Sequence, residues 1–229
     1  LYDWASALGE AARMAARVTK RSRVLVPKII HPERLAALRA YAEPAGIRVE
    51  LVPYERGTGR LDLEALKAKM GPDIAAVYVE QPSYLGFLET RVKAIGEIAH
   101  DHGALYIVGV DPISLGILEA PGNYGADIVV GEGQPLGNHM NFGGPLLGIM
   151  ACRGDRRLIW QMPGRIIGLT VDAEGRKAFC MALQAREQHI RREKASSNIC
   201  TNEALCAVAA AAYLALLGCL LYTSPSPRD

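Results

Sequence analysis

Absences narrow the chemistry of this chain first. No lysine occurs between Lys93 and Lys177, a span that includes the glycine-rich stretch "GADIVVGEGQPLGNHMNFGGP" from Gly125 to Pro145. Net charge is almost absent: 26 Lys and Arg against 24 Asp and Glu leave +2, too little to argue for nucleic acid or an anionic membrane as a partner. No apolar run reaches the roughly 18 residues that span a bilayer. The longest candidate, Ala204 to Leu217, is alanine-rich and reads as a packed helix. The opening residues, "LYDWASALGEAARMA", read as an amphipathic helix rather than a signal peptide. The cysteines, Cys152, Cys180, Cys200, Cys206 and Cys219, form no C-x-x-C pair and no metal-ligand spacing. Buried, reduced thiols in a cytoplasmic protein are the expectation.

The two ends raise a separate expectation. Leu1 stands where an initiator Met would, almost at a helix start. Gly218 suits the end of a helix, and the Pro-Ser-Pro-Arg-Asp that closes the chain cannot extend one. The string from Cys219 to Asp229 resembles the translated read-through of a sequencing-library adapter. The reading is therefore a fragment: 1–218 as partial large domain, and 219–229 as a non-native tail set aside from the fold.

What is there alternates strands with helices. "RVLVP" is a short apolar strand, and "HPERLAALRAYAEPAG" a helix with Pro32 near its start and Gly46 past its end. "IRVELVPY" alternates as a strand does, and "LDLEALKAKMG" is a helix with Asp62 as N-cap. "IAAVYVEQP" reads as a strand ended by Pro82, and "RVKAIGEIAHDHG" as a helix closed by Gly103. "ALYIVGV", "ADIVVG" and "GPLLGIMACR" complete the strands, and three helical stretches are expected from Gly154 onward. Strands separated by helices of this length imply βαβ units and a mostly parallel sheet, hence an α/β fold.

In such sheets ligands sit at the carboxyl ends of strands. Those ends are "EQPSYLG", "VDPISLG" and "GEGQPLG". Gly131, Gly133 and Gly137 have the wrong spacing for a dinucleotide fingerprint, Pro135 interrupts them, and no helix follows at once. His100 and His102 flank Asp101 at a helix end, where residues two apart do not face each other, so a solvated helix end is the default over a metal site. Ser114 lacks a nucleophile elbow. His189 and Cys200 would lie about 16 Å apart on a continuous helix, too far for a dyad. No self-sufficient active site declares itself.

Several strings do carry a resemblance. "LYDWASALGEA", "EQPSYLGFLE", "VGVDPISLGILEAPGNYGADIVVGEGQPLG", "FGGPLLG", "MPGRIIGLTVD" and "QAREQHIRREKASSNICTNEAL" resemble glycine dehydrogenase (decarboxylating), the P-protein of the glycine cleavage system, and within it subunit 1 of the two-subunit form. The resemblance covers Leu1 to Gly218. It implies a fold-type I pyridoxal-phosphate transferase-like large domain with a seven-stranded, mostly parallel mixed sheet. It also implies a lysine-bearing subunit 2 that holds the pyridoxal phosphate, an H-protein whose lipoyl arm accepts the aminomethyl group, and no covalent cofactor on this chain. Laid on the pattern of the catalytic subunit, with Pro121-Gly122 and Asp127 as anchors, the His-Lys pair falls on Gln134-Pro135. The aspartate that meets the pyridine nitrogen falls on Val108. Proline has no amine, and valine cannot stabilise a pyridinium. Sliding that superposition brings in no lysine, although it would bring Asp111 closer. The implied reading is a degenerate copy of a cofactor site, in a chain that supplies no catalytic, cofactor-binding or metal residue of its own. A purely architectural subunit is the alternative.

One helix stands apart from the resemblance. In "RKAFCMALQAREQHIRREKAS", Phe179, Leu183, Arg186 and Ile190 fall at i, i+4, i+7 and i+11, one face of a helix. Arg186 there either snorkels to water or forms a paired guanidinium in a core or interface. Arg191, Arg192 and Lys194, close to Glu187 and Glu193, read as a solvated or subunit-facing surface.

Overall fold

A computed structural model describes residues 1–181, 191–195, 199 and 202–218. Its centre is a six-stranded sheet, with β1 (Arg23–Pro27), β2 (Arg48–Val52), β3 (Ile74–Gln81), β4 (Leu105–Val110), β5 (Ile128–Glu132) and β6 (Gly148–Cys152) in the order β2-β1-β3-β4-β5-β6. The first five run parallel, and β6 is antiparallel to β5. The fold class expected from the sequence is the one found, with six strands in this sheet among the described residues rather than seven. β3 is central, and all its residues but Gln81 are buried. A strand covered on both faces must read as a continuous apolar run, and "IAAVYV" does. β2 lies at the edge and carries Arg48 and Glu50, charges that discourage pairing with another chain.

Two layers of helix cover the sheet. On one face lie α1 (Trp4–Thr19) and α2 (Pro32–Ala42). Asp3 starts α1 with a reciprocal cap: its Oδ1 accepts from the Ser6 amide at 2.7 Å, and the Ser6 hydroxyl accepts from the Asp3 amide at 3.0 Å. α1 buries Ala7, Leu8, Ala11, Ala12, Met14 and Ala15 against Val24, Val26, Tyr78, Ile107, Ile128 and Val130. Gly9 lets α1 and α2 approach closely, because a Cβ there would stand 2.5 Å from the Tyr41 ring. On the other face α3 (Leu63–Lys69) and α4 (Val92–Asp101) bring Leu66, Ile95 and Ala99 onto Leu25, Val77, Val79, Tyr106 and Val108. Asp62 caps α3, its Oδ1 accepting from the Ala65 amide at 3.0 Å.

Beyond β6 two α-helices lie among the described residues, where a run of three helical stretches was expected. α5 (Arg156–Ile159) is one turn, and α6 (Glu203–Leu217) is the alanine-rich helix. Between them is a two-stranded antiparallel hairpin, β7 (Ile167–Val171) and β8 (Lys177–Met181). Phe179 lies on β8, directly across from Leu169, so it does not share a helix face with Arg186. Asp172 makes the turn, its Oδ1 accepting from the amides of Glu174 and Arg176, and Gly175 takes φ +78°. That Asx geometry, with glycine in the left-handed region, commits the segment to a hairpin. Residues 182–190, with Leu183, Arg186 and Ile190, lie outside the described residues. α6 packs Cys206 and Ala210 on Leu136 and Leu147, while Leu205, Val208 and Leu216 are exposed. Among the described residues no helix is long and apolar enough to cross a membrane.

Candidate functional site

The three glycine- and proline-punctuated strand ends meet at the carboxyl edge of the sheet, beneath the N-terminus of α1. β3 delivers Tyr78 and Glu80. The Glu80 side chain is only 1 % exposed, and its Oε1 pairs closely with the Arg34 guanidinium from α2. Tyr78 donates to the same oxygen at 3.0 Å and accepts from Trp4 Nε1 at 3.1 Å. Arg34 also stacks over the Trp4 ring, 3.7 Å from its centroid. Burial, and then the charge of Glu80, push the Tyr78 phenol well above its ordinary value, so it stays protonated and acts as a donor. Trp4, Arg34, Glu80, Ser83, Tyr84 and Asp111 line an open pocket of about 350 Å³. Asp111 sits at its rim, and one carboxylate oxygen caps the short turn that follows by accepting from the Ile113 amide at 2.9 Å. The Ser114 hydroxyl donates to the Asp111 carbonyl at 2.6 Å, which occupies it in that turn.

β5 delivers Glu132 to the same edge. Its Oε2 accepts from the Trp4 amide at 3.1 Å, and its Oε1 accepts from the amides of Gln134 (3.1 Å) and Leu147 (3.0 Å). The chain start is held against β6 beside it. The Gly148 amide donates to the Leu1 carbonyl at 2.8 Å, and a Cβ on Gly148 would stand 2.4 Å from the Asp3 carbonyl oxygen.

The residues singled out from the sequence divide between this edge and elsewhere. Val108 lies within β4, fully buried, paired with Val79 and Val129 in the core facing α3 and α4. Gln134 is in the loop after β5, where its side-chain amide donates to the Asn138 carbonyl at 2.6 Å. Pro135 is exposed. Arg191 and Arg192 are exposed, and Arg192 has φ +51°. Arg186, His189 and Cys200 are not among the described residues.

One expectation gains a detail and one is corrected. The end of α4 is exposed at His100, Asp101 and His102, as expected, and His100 Nε2 also lies 2.8 Å from Oδ2 of the buried Asp127, which accepts from the Tyr106 amide. Arg153 stands 3.1 Å from the other Asp127 oxygen, close enough for an ion pair although not aligned as a hydrogen bond. The cysteines are not uniformly buried: Cys206 is, Cys152 is half-buried, and Cys180 is exposed on β8. Sequence reasoning missed Trp4, Arg34, Tyr78, Glu80 and Glu132. A lone carboxylate closing an otherwise apolar strand was the available signal for Glu80 and for Glu132.

A mostly parallel mixed sheet covered by helices on both faces, with its polar groups gathered at the carboxyl edge, defines the class: the large domain of a fold-type I, pyridoxal-phosphate-enzyme-like protein. Within that class the chain belongs to the glycine cleavage system P-protein family, whose model matches residues 1–221. It is 59% identical over 220 residues to the probable glycine dehydrogenase (decarboxylating) subunit 1 of Aeropyrum pernix, covering 95% of this chain and 47% of that protein. The protein of the same description from Thermococcus kodakarensis is 58% identical over 95% of this chain and 48% of its own length. The one from Desulfitobacterium hafniense is 52% identical with the same coverage. The chain thus spans about half the length of the curated relatives it matches. Among solved structures, an inhibitor-bound glycine decarboxylase (P-protein) of the glycine cleavage system superposes with a TM-score of 0.87 at 46% identity, over 97% of this chain and 49% of that one. A sphingosine-1-phosphate lyase from Burkholderia pseudomallei, at 17% identity and a TM-score of 0.59 over 96% of this chain and 46% of its own, shares the fold.

Proposed function

We propose that this chain is part of the non-lysine-bearing subunit of a cytoplasmic glycine dehydrogenase (aminomethyl-transferring, decarboxylating). In this reading it acts only in complex with a homologous, lysine-bearing subunit 2. The complex decarboxylates glycine and passes the aminomethyl group to the lipoyl arm of an H-protein. Pyridoxal phosphate supplies the electron sink for that chemistry and is held by subunit 2. The residues of this chain do not fit a covalently held pyridoxal phosphate. What supports the reading is the loop after β5: the resemblance puts Gln134 and Pro135 in place of a His-Lys pair, and the Gln134 side chain is engaged with Asn138. Val108 adds to it: deep in an apolar core, it offers nothing to a pyridinium nitrogen. Asp111, the carboxylate that a shifted superposition would bring closer, caps its own turn.

A second reading, in which this subunit touches neither substrate nor lipoyl arm, is favoured by one feature. Polar groups at the strand ends engage one another, Arg34 and Tyr78 both on Glu80 Oε1 and Tyr78 also with Trp4, while Glu80 Oε2 is buried without a hydrogen-bond partner. Mixing the chain with a lysine-bearing P-protein subunit and assaying glycine-dependent release of carbon dioxide tests the first reading. Activity that needs both chains supports it. Activity of this chain alone, or of the partner at full rate without it, contradicts it. Variants at the pocket rim, Asp111→Ala and Tyr84→Ala, then separate the two readings. A changed KM for the lipoylated acceptor favours contact, and unchanged kinetics favour the architectural role.

A further inference from the structure

We propose that Glu132 is a built-in anion: its carboxylate fills an oxyanion cradle at the α1 N-terminus and thereby closes this edge of the sheet to a phosphate group. This rests on the reading above, in which the chain carries no cofactor, and it names the residue that enforces the exclusion. Three amides converge on one side chain from three separate places: Trp4 at the first turn of α1, Gln134 in the loop after β5, and Leu147 just before β6. Trp4 and Glu132 are 128 residues apart, so the cradle is a product of the tertiary fold and not of a local turn. The 16-residue α1 points its N-terminus at the carboxylate. Unsatisfied amides and the helix dipole favour negative charge there, which is the arrangement that elsewhere holds phosphate.

The cradle is structurally expensive to leave empty. Trp4 and Leu147 supply amides outside any regular ladder; the three bonds to Glu132 are part-buried, and an N–H shielded from water without a partner costs free energy comparable to a lost hydrogen bond. A carboxylate on a two-carbon stem satisfies all three donors with its two oxygens. The neighbouring first-turn donor, the Ser6 amide, is taken by Asp3, the other carboxylate facing this helix end. The chain therefore supplies both anions itself. Removing the Glu132 side chain leaves three oriented amides and a cavity the size of a carboxylate and its stem, opposite only one remaining negative charge.

The test uses the full chain with inorganic phosphate as probe, at matched ionic strength against chloride. Wild type should show no phosphate-dependent change in melting temperature. Glu132→Ala should melt lower and bind phosphate with a dissociation constant on the order of millimolar. At ten times that constant its melting temperature should recover by about 3–6 °C. Glu132→Gln keeps the volume and loses the charge. It should melt below wild type and, with the cradle still filled, ignore phosphate. If Glu132→Ala does not fold alone, phosphate but not chloride should restore its cooperative unfolding transition. A folded Glu132→Ala with no phosphate response, an unfolded one that phosphate fails to restore, a Glu132→Gln as stable as wild type, or a wild type that binds phosphate would each overturn the proposal. None of these outcomes depends on a cofactor or partner. Failure of the cofactor-free reading is detected separately, by a lysine adduct on the wild-type chain.

Discussion

Arg34, Glu80, Tyr78 and Trp4 bind the first two helices to the central strand through one carboxylate oxygen. Because the Glu80 side chain is 1 % exposed and that of Arg34 is 15 % exposed, removing either partner strands a charge in a medium that cannot solvate it. Arg34→Met should cost about 3–5 kcal/mol in a denaturant titration, and Tyr78→Phe about 1 kcal/mol. The double variant Arg34→Met with Glu80→Gln should recover much of the loss. If Arg34→Met alone costs less than about 1 kcal/mol, the pair is not buried as described. Val108 and Pro135 make the opposite contrast. Restoring an acid with Val108→Asp should destabilise by at least about 3 kcal/mol, because that side chain is fully buried within a cluster of aliphatic and aromatic residues. Pro135→Lys, at an exposed position, should change stability by less than about 1 kcal/mol. Comparable losses for the two would mean that Val108 is not in the core. The identity of these residues was legible in the sequence, but their convergence was not. Nothing local connects Trp4 with Glu132, or Arg34 with Glu80; the chain's return through the sheet does.

At the scale of elements, punctuation decided what could be read. Strand β1 was legible in full from "RVLVP", and the α3 start from Asp62, because both signals act over four or five residues. The hairpin of β7 and β8 was missed. A helical period was read through Phe179, although Ile167, Leu169 and Val171 alternate as a strand and "DAEGR" turns them back. Asp172 holds that turn, and its carboxyl is kept below the ordinary range chiefly by the Arg176 amide, then by the Arg176 guanidinium and the Glu174 amide. The sign follows from linkage. A depressed folded value gives stabilisation that is complete above the unfolded pKa, about 3.9, and is lost as pH falls through the folded one. The amide resonances of Glu174 and Arg176 should therefore titrate together with a midpoint below about 3.9, and Asp172→Asn should abolish that titration. A midpoint at or above the ordinary value would remove the carboxylate from the turn. Thiol chemistry reads the same elements. Cys180 on the exposed hairpin should be alkylated before Cys152, whose thiol is pushed up by burial and then by the charge of Asp155. Peptide mapping after a short exposure to iodoacetamide at neutral pH checks the order, and the reverse order would contradict the placement of β8.

As a whole molecule, the described residues present a helix-covered, open α/β sheet and, away from it, exposed apolar side chains. Ile167, Leu169, Val171, Phe179 and Met181 on the hairpin are each at least half exposed, as are Leu205, Val208 and Leu216 on α6. The fold class was legible because alternation of strand and helix leaves few topologies open. The antiparallel return of β6 was not, since no local signal distinguishes it from another parallel strand. The account's central claim is that the sheet's carboxyl edge in this chain carries no lysine-held cofactor, and that a homologous chain does. The direct measurement is borohydride reduction of a mixture of this chain, a lysine-bearing P-protein subunit and pyridoxal phosphate, followed by peptide mapping of both chains. The account predicts one stoichiometric adduct, on the lysine of the other subunit, with only scattered sub-stoichiometric labelling here. A single stoichiometric adduct on any lysine of this chain would contradict it.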